Sequence, residues 1–373
     1  MKRIESLTFL RFIAAFIVVV FHFGQNTTLA RLASPFIVSG PQMVSLFFVL
    51  SGFVMMVAHY DKGDETFLNY YVKRFARIAP IYFVALFLSA CSTYGVGVNN
   101  IRALFLNITF LQSWFPPYAL SINAPAWSLS VEAFFYLTFP FILFAIKKSN
   151  ISWKSFTIIA LLFYFFTQAI LSNLLTVKFD AGYTSTAHDL IYYFPLSHFC
   201  SFILGIAGGL IYSKHPEWFN KTSIVSFLIL IVTALVNYFA LQRPGIISHL
   251  LGMRLAFASS FYSLFFLFLI LSLTYSRNFI TNIMSTTFLV ILGEASYSLY
   301  ILQSPIHTIY TKYISTFLLG YLNVQSPNRE FLVFSLLLIC VSIASLYLIE
   351  RPAQKIILNL YKRITVKSLV PAK

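Results

Sequence analysis

Arg74 and Arg77 stand one helical turn apart in KRFARIAP, at the start of an apolar run. Two guanidinium forks on one helix face suit a phosphate group, because each can donate two parallel hydrogen bonds. Anchoring at a membrane surface is the plainer use of the same pair. Arg11 and His22 bracket the segment RFIAAFIVVVFH, eleven residues apart and so about 20° from three full helical turns. They share one stripe of a helix, separated by about 16 Å along its axis. A charge at the centre of a bilayer costs about 2.5–3.5 kcal/mol on insertion scales, so an ionisable residue there is a functional candidate. The alternative is that Arg11 snorkels to the headgroups and His22 marks the far interface.

Glu132 lies in APAWSLSVEAFFYLTFP, about 7 Å inside the boundary that Trp127 marks. His22 and His307 are the basic groups of comparable depth, and a carboxylate with an imidazole is either a proton-handling unit or a structural ion pair. In GEASYSLYILQSPIH, the residues Tyr297, Tyr300, Gln303 and His307 follow helical spacing and draw a polar stripe through an apolar helix. Glu294, at the inner end of that stripe, is placed to pair with an arginine. Ser51 and Gly52 in FFVLSGFVMM are small among bulky neighbours and permit the close approach of a helix or a ligand. IERPAQK reads as structural, with Pro352 breaking the last helix ahead of a basic tail.

These residues sit in a chain of 373 residues that is 59% hydrophobic and 18% aromatic, with 10% charged side chains. Soluble domains carry roughly 25% charged residues, and apolar runs of about 20 residues recur along the whole length here. The class is an all-α polytopic membrane protein. Ten spans are expected, near 5–24, 42–60, 76–95, 127–146, 153–175, 191–212, 223–241, 256–275, 288–311 and 331–350. The apolar piece at 101–112 is too short to cross and is expected to be re-entrant or interfacial. The first run resembles a signal peptide, but Arg11 interrupts it and no small-residue cleavage site follows Gly24. Of the 26 Lys and Arg residues, 18 fall on the side of the termini and 7 on the other, with Arg11 inside a span. That bias places both termini in the cytoplasm and explains the net charge of +15 without nucleic acid. Cys91, Cys200 and Cys340 have no paired spacing, so neither a disulfide framework nor a metal site is expected. No internal repeat is visible.

Taken in order, Arg11-x10-His22, FFVLSGF, Arg74-x-x-Arg77, WSLSVE ending in Glu132, SYSLYILQSP and the terminal ERP resemble the acyltransferase-3 family of integral membrane acyltransferases. The likeness runs from about Ile4 to Ala353. It implies about ten spans, an acyl-coenzyme A donor (acetyl-CoA above all), a catalytic histidine at His22, and Arg74 and Arg77 on the donor side. Acceptors in this family include bacterial surface polysaccharides, which points to a polysaccharide or lipid-linked oligosaccharide and to the bacterial inner membrane. On that reading His22 is the general base, Glu132 orients its imidazole, and Arg11 lines the donor path. Ser51, Gly52, Trp127, Ser130, Tyr297, Tyr300, Gln303 and His307 are expected to line the substrate path.

Two departures stand out. Family members commonly carry histidine where this chain has Gln303, with His307 one turn further on. Some relatives add an extracytoplasmic hydrolase-like domain, whereas the expectation here is a transmembrane domain over 1–355 and a basic cytoplasmic tail over 356–373. An acyl-histidine intermediate is compatible with the same residues. So is a proton-coupled transporter or flippase of a lipid-linked sugar, with His22 and Glu132 as a proton relay.

Overall fold

The computed structural model describes residues 4–32, 34, 39–63, 65–92, 100–176, 185–315 and 326–369. Among them there is no β-strand, only an isolated bridge between Lys221 and Ser276. Ten helices correspond to the ten expected spans: α1 (Glu5–Phe23), α2 (Gly40–His59), α3 (Phe67–Ser92), α4 (Trp127–Ser149), α5 (Trp153–Thr176), α6 (Pro195–Lys214), α7 (Ile224–Gln242), α8 (Ser263–Tyr275), α9 (Thr287–Ile309) and α10 (Pro327–Ser345). Among the described residues, eight segments are long and apolar enough to cross a membrane. The other two helices of the ten are α8, which is short, and α9, which carries the polar stripe. Exposed Ile158, Leu162, Phe165 and Phe166 on α5, with Val225, Leu228, Val232 and Phe239 on α7, form apolar surface suited to lipid. The protein is an all-α polytopic membrane protein.

Close helix approach fixes the centre of the bundle. A Cβ on Gly52 would lie 2.1 Å from the Phe202 carbonyl oxygen, and one on Gly205 would lie 2.1 Å from that of Val49. α2 and α6 therefore touch backbone to backbone, as small residues permit in membranes. Gly293 does the same for α1 and α9, with the Thr8 carbonyl oxygen 2.1 Å from where its Cβ would stand.

Three boundaries differ from expectation. α3 begins at Phe67 rather than near residue 76, which puts Arg74 and Arg77 in its second and third turns; residues 93–95 of that expected span lie outside the described residues. α8 begins at Ser263 rather than near 256; the residues before it form tight turns, such as Ser259 N to the Ala256 carbonyl, and neighbouring helices bond the remaining carbonyls. Ser45 Oγ donates to the Ser259 carbonyl at 2.5 Å, and the Tyr164 hydroxyl to the Phe261 carbonyl at 2.5 Å. Irregular backbone at membrane depth persists where protein groups satisfy it. Pro352 does not end α10. The wide turn Leu346–Glu350 leads directly into a helix over Arg351–Leu369. A π-type turn shifts the hydrogen-bond ladder by one residue, which accommodates the missing proline N–H. The basic tail is thus helical as far as Leu369, and residues 370–373 lie outside the described residues.

The segment 100–126 caps one end of the bundle without crossing it. Asn100 caps the short helix Ile101–Ile108, its side chain accepting from Arg102 N and Ala103 N. The Tyr82 hydroxyl then donates to the Asn107 carbonyl at 2.7 Å, Gln112 Nε2 to the Ala126 carbonyl at 2.9 Å, and Ser113 Oγ to the Trp127 carbonyl at 2.8 Å. This cap buries the start of α4, from Trp127 to Ser130.

Candidate active site

A cavity of about 500 Å³ opens at the end of the bundle that holds the start of α1, the end of α2 and the start of α3. Its wall carries Arg11, Arg74, Arg77 and Arg351 together with Glu132, Glu294 and Glu350. With Arg351 paired to Glu294, Arg74 and Arg77 at the mouth are the arginines best suited to phosphate. Arg351 and Arg74 are each held by neighbours. Arg351 pairs with Glu294, as the position of Glu294 in the sequence foretells. Glu350 accepts from Ser298 Oγ. Arg74 Nη2 stands 3.5 Å from His59 Nε2, and its guanidinium lies 5.7 and 5.8 Å from the ring centres of Tyr70 and Tyr136. His59 gives its Nδ1 proton to the Met55 carbonyl at 2.9 Å, so in the neutral ring Nε2 is the acceptor that faces Arg74. Beside them, in the loop before α3, Glu65 pairs with Lys73. Partial burial pushes the Glu65 carboxyl up, and the hydrogen bond and charge of Lys73 outweigh it, holding the group below its ordinary range.

The chamber narrows where α1 and α4 face each other. Arg11 and Glu132 line it and also line a second, much smaller cavity of about 40 Å³. The remaining wall of that slot comes from Val44, Phe47 and Phe48 of α2, Ser128 and Leu129 of α4, and Ser296, Tyr297 and Tyr300 of α9. Glu132 accepts hydrogen bonds from the Tyr136 hydroxyl and from Ser51 Oγ, the latter at 3.5 Å. It does not meet His22. The reason is the buried start of α4: counting inward from Trp127 places Glu132 level with Arg11 and Ser51, not with the far end of α1. The expectation that Glu132 orients the imidazole is therefore corrected.

Gln303 holds that position instead. His22 Nδ1 and Gln303 Oε1 are 2.9 Å apart, and Gln303 Nε2 donates to the Tyr300 carbonyl at 2.7 Å. The second bond fixes which way the amide faces, so its oxygen meets the ring and Nδ1 must carry the proton. Nε2 of a neutral His22 is left as a bare acceptor. Gln303 is fully buried whereas His22 is exposed, at the end of the bundle opposite the chamber mouth. The Tyr300 carbonyl thus connects the wall of the slot to the histidine in one turn of α9.

Several expected lining residues serve packing. Gly52 is the contact point of α2 with α6. Trp127 is packed against Phe48, Tyr193 and His198. Ser130 is fully buried, its hydroxyl donating to the Phe110 carbonyl at 2.5 Å. His307 stacks on Phe23 with ring centres 4.0 Å apart and meets Phe334 edge-on, well suited to wedging α1, α9 and α10 together. Ser51, Tyr297 and Tyr300 do line the cavities, and the Tyr297 hydroxyl also ties α9 to α3 through the Ile78 carbonyl at 2.8 Å. Sequence reasoning missed His59, Phe47, Tyr136, Glu350 and Arg351. For Glu350 a signal existed, since a carboxylate at the end of an apolar run is the feature that singled out Glu132. Among the described residues no cluster of three or more metal-ligating side chains occurs.

The sequence is similar to those of known acyltransferases. Residues 4–349 match a family described as an acyltransferase domain. The acyltransferase MdmB of Streptomyces mycarofaciens is 32% identical over 155 residues, which cover 37% of this chain and 38% of that protein. A Staphylococcus aureus (strain COL) protein, provisionally named an O-acetyltransferase, is 22% identical over 379 residues, or 95% of this chain and 58% of its own length. A provisional acetyltransferase of Acidianus two-tailed virus is 27% identical over 196 residues, covering 50% of this chain and 53% of that protein. The chain thus spans about half the length of the curated relatives it matches. No solved structure matches it.

Proposed function

Because the chain belongs to the acyltransferase-3 family, which it matches over residues 4–349, we propose that it is an O-acyltransferase carrying an acyl group across the membrane. In this reading the donor is acyl-coenzyme A at the cytoplasmic face. The acceptor is a hydroxyl of a polysaccharide or lipid-linked sugar at the outer face of the bacterial inner membrane. The O-acetyltransferase and acetyltransferase names of relatives support acetyl as the cargo. The observation that carries the proposal is the order of groups along one path: four arginines around a large chamber, the Arg11–Glu132 neck, the slot, and then Gln303 and His22.

The coenzyme's phosphates and nucleotide sit in the chamber against Arg74 and Arg77. Its pantetheine arm passes the neck, where Arg11 donates to and Glu132 accepts from the arm's amide groups. The thioester then approaches His22 from within while the acceptor hydroxyl approaches from outside. His22 Nε2 removes the hydroxyl proton as the oxygen attacks the carbonyl carbon. The carbon–oxygen bond forms, the carbon–sulfur bond breaks, and the coenzyme leaves as thiolate, taking the proton back from the imidazolium. Gln303 keeps Nδ1 protonated throughout, so the basic lone pair always faces the reacting groups.

Sealed vesicles test the proposal. With labelled acetyl-CoA confined to the cytoplasmic side, label is expected on glycan of the opposite side. Label that appears only when donor and acceptor share the cytoplasmic side defeats the proposed path. A proton-coupled flippase, the alternative from sequence, moves unmodified glycan and releases no free coenzyme A.

A further inference from the structure

We propose that Phe47 and Tyr300 restrict the transferred group to a short acyl chain, with acetyl the preferred size. The inference rests on the acyl-transfer reading and deepens it by naming the residues that set the size of the transferred group.

The slot of about 40 Å³ lies between the Arg11–Glu132 neck and Tyr300, whose carbonyl anchors Gln303 and through it His22. A thioester that travels from the chamber toward His22 along this path must enter the slot. One water molecule needs about 10–15 Å³ of such space. The slot therefore holds about three atoms of that size, and an acetyl group has three heavy atoms. The chamber behind it, at about 500 Å³, is more than ten times larger and sets no comparable limit.

The walls of the slot differ in how firmly they are held. Phe48 is fully buried and meets Trp127, Phe135 and His198, with ring centres 5.1 to 6.0 Å away. It is a fixed wall. Phe47 is half-buried and meets Tyr300 edge-on at 5.8 Å. These two rings come from helices on opposite sides of the slot and close its outer part. Extra methylenes can be accommodated only by displacing that pair, because a well-packed interior tolerates added volume poorly. A misfit of one methylene in an apolar pocket typically changes specificity by about 10–200-fold.

The proposal separates binding from transfer. Longer acyl-coenzymes carry the same phosphates and still reach the chamber, so their KM stays within a few-fold of that for acetyl-CoA while kcat falls.

The test measures coenzyme A release by the purified full-length protein with acetyl-, butyryl- and hexanoyl-CoA and a glycan acceptor. The wild type is expected to lose at least about tenfold in kcat/KM at each step of chain length. Phe47→Ala is expected to raise the hexanoyl-to-acetyl ratio by at least about tenfold. Phe47→Leu, which keeps more of the packing, should raise it less and serves if the alanine variant fails to insert. Tyr300→Phe keeps the ring and should leave the ratio where it is. Equal use of acetyl and hexanoyl donors by the wild type overturns the size limit but not the acyl-transfer reading. An unchanged ratio in both folded Phe47 variants overturns the role of the ring pair. No coenzyme A release from any donor, by protein that still binds acetyl-CoA, overturns the acyl-transfer reading and the size limit with it.

Discussion

Gln303 gives His22 its single protein hydrogen bond among the described residues, and it sets which nitrogen is basic. Gln303→Leu is expected to lower kcat by about 10–100-fold with little change in KM. That is less than the roughly 10⁴-fold lost when a carboxylate-held histidine takes the wrong tautomer. His22→Ala should cost about 10²–10⁴-fold in rate while donor binding persists; full activity in that variant would remove His22 from the mechanism. On the donor side, Arg74→Ala should raise the KM for acyl-CoA, and Arg74→Lys should restore it only in part because the bidentate fork is gone. His59→Leu should mimic Arg74→Ala more weakly; an unchanged KM would show that His59 does not position the guanidinium. The Arg11–His22 stripe and the Arg74–Arg77 pair were legible in the sequence because helical periodicity alone fixes them. The partner of Glu132 was not, because its depth depends on the cap that buries the start of α4. Gln303 carries no charge to betray its role.

The helices themselves follow from long apolar runs, and nearly all could be read from composition. Their ends could not, wherever tertiary hydrogen bonds replaced helical ones. The residues before Ser263 are one case, bonded by Ser45 and Tyr164, and the passage of α10 through Pro352 is another. The small residues of FFVLSGF were legible as a place of close approach, but not what approaches. Since α6 backbone stands there, Gly52→Val should destabilise the bundle by about 1–3 kcal/mol or more, as overpacking does. Thermal unfolding in detergent would show this as a lowered Tm and reduced yield. An unchanged Tm would mean that α2 and α6 are free to separate.

At the scale of the whole molecule, the arginine-rich chamber and the exposed His22 stand at opposite ends of the bundle. In the proposed orientation, which the distribution of basic residues supports, the chamber end faces the cytoplasm. Reporter fusions in the 147–154 loop should therefore give cytoplasmic signals, and fusions near residue 120 should give external ones; the reverse pattern would detach the chamber from its donor. A protein that passes an acyl group from one face to the other, as proposed, must also remain electrically tight, since any continuous water column would short-circuit the potential that energises the cell. The Phe47–Tyr300 closure lies where that column would have to pass, and narrow apolar constrictions stop ion flow by shedding water. Phe47→Ala vesicles holding a potassium diffusion potential should depolarise faster than wild-type vesicles, as read by a potential-sensitive dye, and donor that fills the chamber should slow the leak. Equal decay in both would place the insulating barrier elsewhere. The width that admits one small acyl group would then also be the widest bore a charged membrane can tolerate.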